Sequence, residues 1–208
     1  MSDKIIKSSL DIDDWFTSLN EDIDIWITDP PYPFDNQNGT NRFKYEDGTD
    51  NMYQRLSWSK LSSIFSEMHS RSSEGARAYI FCNRDGLFET QPLLKNAGWT
   101  FRNVLVWDKK RLGMGYHWRN KVEYILYVTK GKPKSYVKGS GNIFSYNKPK
   151  GKGVSAKPHD IWVDILEHSA VSGDICADPF AGSNPMEQAL LSYPSLYGKI
   201  GSAYTNSV

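Results

Sequence analysis

Short apolar runs of strand length alternate along the chain with stretches whose apolar residues recur every three or four positions. Ile23-Asp24-Ile25-Trp26-Ile27 reads as a strand, stopped at Asp29-Pro30-Pro31 because proline brings no donor to a ladder. Residues 32–51 are rich in Asn, Gly, Asp, Thr and Lys without periodicity, which predicts a mobile or ligand-ordered loop. Trp58, Leu61, Ile64, Phe65 and Met68 then fall at helical steps. The continuous run Ala78–Cys82 suits a strand covered on both faces, which favours parallel packing. A helix over 85–97 is stopped by Gly98, and strands over 104–107 and 124–128 follow, with Gly113 and Gly115 in their connection. Residues 131–157 predict no core element. Helix over 161–166, strand over 175–178, helix over 185–191 and a final strand near 196–200 complete the pattern, without internal repeat. Such alternation predicts an α/β fold with a mostly parallel central sheet flanked by helices, whose ligands bind beyond the C-terminal strand ends.

Composition narrows the class. The 208 residues suit one domain spanning 1–208, and 39% hydrophobic with 13% aromatic content excludes a disordered chain. No apolar stretch is long enough to span a membrane and no leader-like segment opens the chain, so an intracellular protein is expected. Cys82 and Cys176 read as reduced core thiols. With only these two cysteines and four scattered histidines, no metal site is expected.

Charge is distributed in blocks. Residues 1–106 carry 11 basic against 16 acidic side chains, residues 107–160 carry 13 against 3, and residues 161–208 carry 1 against 5. A block of net +10 between blocks of −5 and −4 points to a polyanion, since cations that neutralise phosphates release counterions. A solvated lysine-rich loop is the alternative. The candidate nucleic-acid contacts are Lys109, Lys110, Arg111, Arg119, Lys121, Lys134, Lys138, Lys148, Lys150 and Lys152. Tyr136, Phe144 and Tyr146 among them either stack bases or anchor the loop. His117 reads as a solvated or packed loop residue.

Two motifs carry chemistry. Asp29-Pro30-Pro31-Tyr32 follows a strand and sets outward carbonyls beside one carboxylate and one aromatic ring. Such a turn accepts hydrogen bonds from an NH2 group and stacks on a flat ring. Two acceptors gripping a conjugated amine favour a pyramidal nitrogen with a usable lone pair. Adenine N6 or cytosine N4 has that chemistry, and a structural Asp-Pro turn is the other reading. The second motif, Ala177-Asp178-Pro179-Phe180-Ala181-Gly182-Ser183, runs from a strand through small residues into a helix, whose amino end offers N–H groups to an anion.

In this order the two motifs resemble the S-adenosylmethionine-dependent DNA amino-methyltransferases, the N6-adenine/N4-cytosine DNA methylases, in their β-class arrangement with the catalytic motif ahead of the cofactor motif. Val106-Trp107-Asp108-Lys109 with Gly113 and Gly115, then Glu123-Tyr124-Ile125-Leu126 and Lys130-Gly131, are similar to the family's hairpin region. Lys157-Pro158 and Ser172-Gly173-Asp174 resemble its segment ahead of the cofactor strand. The resemblance implies a permuted Rossmann-like methyltransferase fold, S-adenosylmethionine as cofactor, and DNA as partner, with DNA methylation and restriction–modification as its setting. It also implies a flipped base that stacks on Tyr32 and presents its amine to Asp29 and the Pro30 carbonyl. Asp178, Phe180, Gly182, Ser183 and Asn184 would line the cofactor with Lys157 and Pro158 nearby, and 131–157 would be a short basic target-recognition insertion. The Asp-Pro-Pro-Tyr form points to adenine N6. The shortness of 131–157 predicts a short target sequence or help from a second subunit.

The sequence departs from the family twice. Asn184-Pro185 stands where a second glycine and a hydroxyl residue usually follow Ser183, and Leu196–Ser202 lacks the acidic residue that holds the ribose hydroxyls. The chain reaches Val208 without the family's next helix. Besides an active adenine methyltransferase, the residues therefore admit a cytosine-N4 or RNA enzyme. They also admit an inactive methyltransferase-like subunit that binds nucleic acid, or a site completed by a homodimer or partner methyltransferase subunit.

Overall fold

The computed structural model describes residues 4–33, 56–113, 117–133, 139–149 and 156–207. Its centre is an eight-stranded sheet ordered β1-β8-β7-β2-β3-β5-β4-β6. The strands are β1 (Ile5–Ser8), β2 (Ile23–Thr28), β3 (Ser72–Cys82), β4 (Thr100–Asp108), β5 (Val122–Thr129), β6 (Ile143–Ser145), β7 (Cys176–Asp178) and β8 (Ala203–Asn206). All neighbours pair parallel except β5, which runs antiparallel to both β3 and β4. The expected α/β fold with a mostly parallel sheet is therefore present.

Alternation along β2, with one break of register between Ile23 and Ile25, explains the layering. Ile23 and Trp26 belong to one buried cluster with α1 (Ile12–Ser18), α2 (Trp58–Ser70) and α3 (Arg84–Asn96), whereas Ile25 and Ile27 pack with α4 (Asp160–Ser169), α5 (Pro185–Ser192) and α6 (Pro194–Lys199). Successive side chains of a strand point to opposite faces, so a strand buried at every position, as β2 is, must be covered on both. Gly98 ends α3 at φ +96°, a conformation that favours glycine. Cys82 and Cys176 are buried free thiols, and no described helix is long and apolar enough to cross a membrane.

Three local readings are corrected. The segment expected as a strand near 196–200 is helix α6, entered at Pro194, and the strand follows at Ala203–Asn206. Leu196, Tyr197 and Ile200 pack on the same core cluster, as a helix allows, whereas a strand would point the neighbours 196 and 197 to opposite faces. Within 131–157, β6 pairs with β4 from Ile143 to Ser145, and Phe144 and Tyr146 pack on the second core cluster. These aromatics anchor the segment: Tyr146 donates to Asp164 at 2.7 Å, and its carbonyl accepts from Trp107 Nε1 at 2.8 Å. Finally, β1 and α1 precede the first element read from the sequence. Residues 34–51 of the expected loop, with Gly115 and Tyr136, lie outside the described residues.

Candidate active site

The parallel strands deliver Asp29 from the end of β2, Cys82 from the end of β3 and Asp178 from the end of β7 to one edge of the sheet. Because β5 runs the other way, its first residues reach that same edge and bring Glu123 with them. Lys157, just ahead of α4, enters between the two acids. Its ammonium donates to Asp29 Oδ2 and lies 3.4 Å from Glu123 Oε2, while Lys109 lies 3.3 Å from Glu123 Oε1. Four groups thus alternate in sign: Asp29, Lys157, Glu123, Lys109. The Lys157 side chain is only 10% exposed and its ammonium sits 5.8 Å from the Phe81 ring centroid. Phe81 in turn stacks on Trp162 at 4.8 Å.

The electrostatics follow from this arrangement. Burial pushes the Asp29 carboxyl up, and the Lys157 cation pulls back against it without cancelling it. Burial opposes the charge on Lys157, yet Asp29 and Glu123 outweigh it and hold the ammonium above the ordinary lysine range. Glu123 is driven up by burial and further down by Lys157 and Lys109, so it ends low. Asp178 has no cation among the described residues: burial raises it to about 7, against the lowering effect of the Thr28 hydroxyl and the Phe180 N–H. That N–H donates to Asp178 Oδ1 at 3.1 Å.

The remaining motif residues take distinct positions. Pro30 is buried, and the half-buried Pro31 accepts from Leu56 N–H at 3.2 Å. Tyr32 is 7% exposed, with its hydroxyl donating to the Phe81 carbonyl and its ring tilted against Trp58 at 6.1 Å. The ring expected to stack on a base is therefore packed in the first core cluster. Pro158 is buried and its carbonyl accepts from Ile161 at the start of α4. Gly182 and Ser183 are exposed, Phe180 is half-buried, and Gly182 adopts φ +49°. Asn184 is left-handed at φ +52°, and its side chain accepts from Glu187 N–H, capping α5. At the amino end expected to offer donors to an anion, Asn184 takes the Glu187 N–H and Pro185 brings none, so fewer donors are left for a ligand.

The basic candidates divide as well. Lys110, Arg111 and Arg119 are exposed, and Arg119 donates to the Gly113 carbonyl at 2.7 Å. Lys109 is tied to Glu123 and Lys121 to Asp108. Lys148 is half-buried, and burial first, then neighbouring cations, lower it despite Glu123. Lys134, Lys138, Lys150 and Lys152 lie outside the described residues. Sequence reasoning missed Glu123 as a site residue. Its signal was an acid opening a strand inside a block with only three acids. The groove between α1 and α2, lined by Asp13, Phe16, Thr17, Ser63, Ile64 and Glu67, lies in the helix layer. Its acids are already paired with Lys60 and Arg71.

A search of curated proteins returned no match. Solved structures share the fold across nearly the whole chain. One is the complex of M1.HpyAVI with S-adenosylmethionine, at TM-score 0.70 and 18% identity, covering 98% of this chain and 93% of that one. Another is TTHA0409, a putative DNA modification methylase from Thermus thermophilus, at TM-score 0.67 and 18% identity, covering 98% and 89%. The same Thermus protein complexed with S-adenosyl-L-methionine aligns at TM-score 0.64 and 17% identity, again covering 98% and 89%. The DNA methylase family model matches residues 23–164, which run from the strand carrying Asp29 through the hairpin to α4. With the Asp-Pro-Pro-Tyr turn at a parallel strand end and that match over most of its length, the chain belongs to the N6/N4 DNA methylase family.

Proposed function

We propose that the chain, as one methyltransferase domain over 1–208, methylates the exocyclic N6 of adenine in DNA with S-adenosylmethionine as donor. The observation that carries this reading is the Asp29 carboxyl, set at the end of β2 beside Lys157 and followed by Pro30. Among the described residues the Pro30 carbonyl accepts no backbone hydrogen bond, so it stands as a second acceptor next to Asp29.

The residues after β7 fit the cofactor. A Cβ added at Gly182 would meet nothing nearer than the Phe180 carbonyl at 4.0 Å, so the loop face is open to a flat ligand lying against the backbone. Phe180, Gly182 and Ser183 would hold the adenosyl part, with Asp178, Asn184, Lys157 and Pro158 around it. S-adenosylmethionine, when bound, supplies an electrophilic methyl group on sulfur.

The chain's own residues prepare the acceptor. Asp29 and the Pro30 carbonyl accept the two amine hydrogens, drawing the nitrogen towards a pyramidal geometry. Acceptance requires the carboxylate form, which burial disfavours and Lys157 supports. Lys157 remains an ammonium throughout and so is no base for the reaction. Tyr32, Pro31 and the Trp58 ring wall the turn. The basic hairpin and the segment 131–157 take the phosphates and the target sequence.

One observation favours the inactive-subunit reading. The strand after the cofactor loop, β8, ends in Asn206, whose amide is bound in both directions to the Leu10 backbone at 3.0 Å. A carboxylate for the ribose is absent from β8. Nucleoside mass spectrometry after incubation with mixed-sequence DNA and S-adenosylmethionine separates the readings. N6-methyladenine is expected, and its loss in Asp29→Ala, which removes the acceptor, with cofactor binding retained would place Asp29 in the chemistry. N4-methylcytosine would move the target base. No modification and no cofactor binding would leave the subunit reading.

A further inference from the structure

Most of the tryptophans are buried, but Trp118 is 98% exposed. It sits in the arm 117–121 of the hairpin joining β4 to β5, opposite the arm 109–113. The two arms extend the ladder beyond both strands: Lys109 N–H bonds the Lys121 carbonyl at 3.1 Å, and Gly113 N–H bonds the Asn120 carbonyl at 2.8 Å. Arg119 ties the arms a third time through Gly113. The backbone is strained around it, since Lys110 and His117 adopt φ +57° and +55°, two of three described non-glycine residues in that region.

This hairpin rises from the active-site edge. Glu123, at its base, contacts Lys157, which pairs with Asp29. Trp118 precedes Glu123 by only a few residues, so an extended arm places it within about 17 Å of that carboxylate. Arg119 follows the indole in the same arm, and exposed Lys110 and Arg111, with Leu112 at 56% exposure, lie on the facing arm. Covering so exposed an indole with a flat partner would be favourable. A hairpin that carries an exposed indole together with exposed cations complements a partner that offers phosphates outside and flat bases inside.

We propose that Trp118 stacks into the DNA duplex at the step opened when the target base leaves. This rests on the DNA methyltransferase reading and assigns a residue to the duplex-opening part of it. An extruded base leaves an unstacked gap, and an inserted apolar side chain offsets the lost stacking.

The test compares wild type, Trp118→Ala and Trp118→Phe on duplexes carrying a mapped methylation site. In one duplex the target base is paired, and in the other it faces an abasic position. Base–aromatic stacking is worth about 1–3 kcal/mol, so kcat/KM of Trp118→Ala should fall about 5- to 150-fold on the paired duplex. On the abasic duplex it should recover to within about threefold of wild type, because the step is already open. Trp118→Phe should stay within about threefold on both. The exposed position leaves folding and cofactor binding unaffected, which circular dichroism and cofactor titration check. Equal activity of wild type and Trp118→Ala on the paired duplex overturns the role, as does an equal loss on both duplexes. Loss of a dimer in sedimentation with unchanged activity would assign the indole to self-association instead and also overturns it. A wild type that methylates no DNA defeats the proposed function itself, and this inference with it.

Discussion

Two carboxylates at neighbouring strand ends are handled in opposite ways. Asp29 is given a cation in Lys157, whereas Asp178, 1% exposed, accepts a backbone N–H from Phe180. Asp178 consequently titrates near 7, far above the ordinary aspartate range. A carboxyl whose folded value is raised binds its proton more tightly in the native state, so its contribution is fully present below about pH 4. That contribution is lost as pH rises through about 7. Asp178→Asn retains an acceptor for Phe180 without the buried charge. At pH 8 it should be more stable than wild type, by up to about 4 kcal/mol, and the difference should shrink towards pH 5. Thermal unfolding of both proteins across that range checks it, and a constant difference would refute the assignment. Asp29 and Asp178 were both legible as strand-end acids; which of them has a cation depends on Lys157, far away in sequence.

At the scale of elements, the entry to α5 shows how a departure from a family pattern is accommodated. Asn184 occupies a left-handed position usually suited to glycine and adds a cap that glycine lacks, accepting from Glu187 N–H and donating to Glu187 Oε2 at 3.0 Å. Asn184→Ala loses about 1 kcal/mol of capping and adds about 1 kcal/mol or more of backbone strain. Asn184→Gly loses only the cap and relaxes the backbone, so it should fall near wild type while the alanine variant loses about 2 kcal/mol in urea unfolding. Elsewhere local pattern misled. Ala203-Tyr204-Thr205-Asn206 has little apolar character, yet all four residues are buried because β8 lies between β1 and β7. Its strand identity comes from its neighbours. Leu196 and Ile200 fit a strand as well as a helix by spacing, and the proline ahead of them and the adjacent core residue Tyr197 are what mark the helix.

For the whole molecule, the basic block is less available to DNA than its charge count suggests. Lys109 and Lys121 neutralise Glu123 and Asp108 inside the hairpin, whereas Lys110 and Arg111 face water. Binding isotherms between about 50 and 200 mM salt should therefore separate two double variants. Lys110→Ala with Arg111→Ala should flatten the log–log salt dependence by about 1.8, at about 0.9 for each phosphate that the protein no longer neutralises. Lys109→Ala with Lys121→Ala should change it by clearly less, since those cations already have partners. Equal slopes would mean that the internal ion pairs open on DNA.

Apolar periods and proline-rich turns are local properties, so the alternating α/β order, the turn at Asp29, the loop at Gly182 and the basic middle were determined by the sequence itself. Pairing across distance was not. The reversal of β5 carries Glu123 to the edge where β2 ends, the approach to α4 inserts Lys157 between two acids, and the connection from β1 to α1 pins Asn206 through Leu10. Each joins residues far apart in the chain, where no local pattern constrains which side chains meet, and only the assembled sheet decides the charge state and neighbours of Asp29.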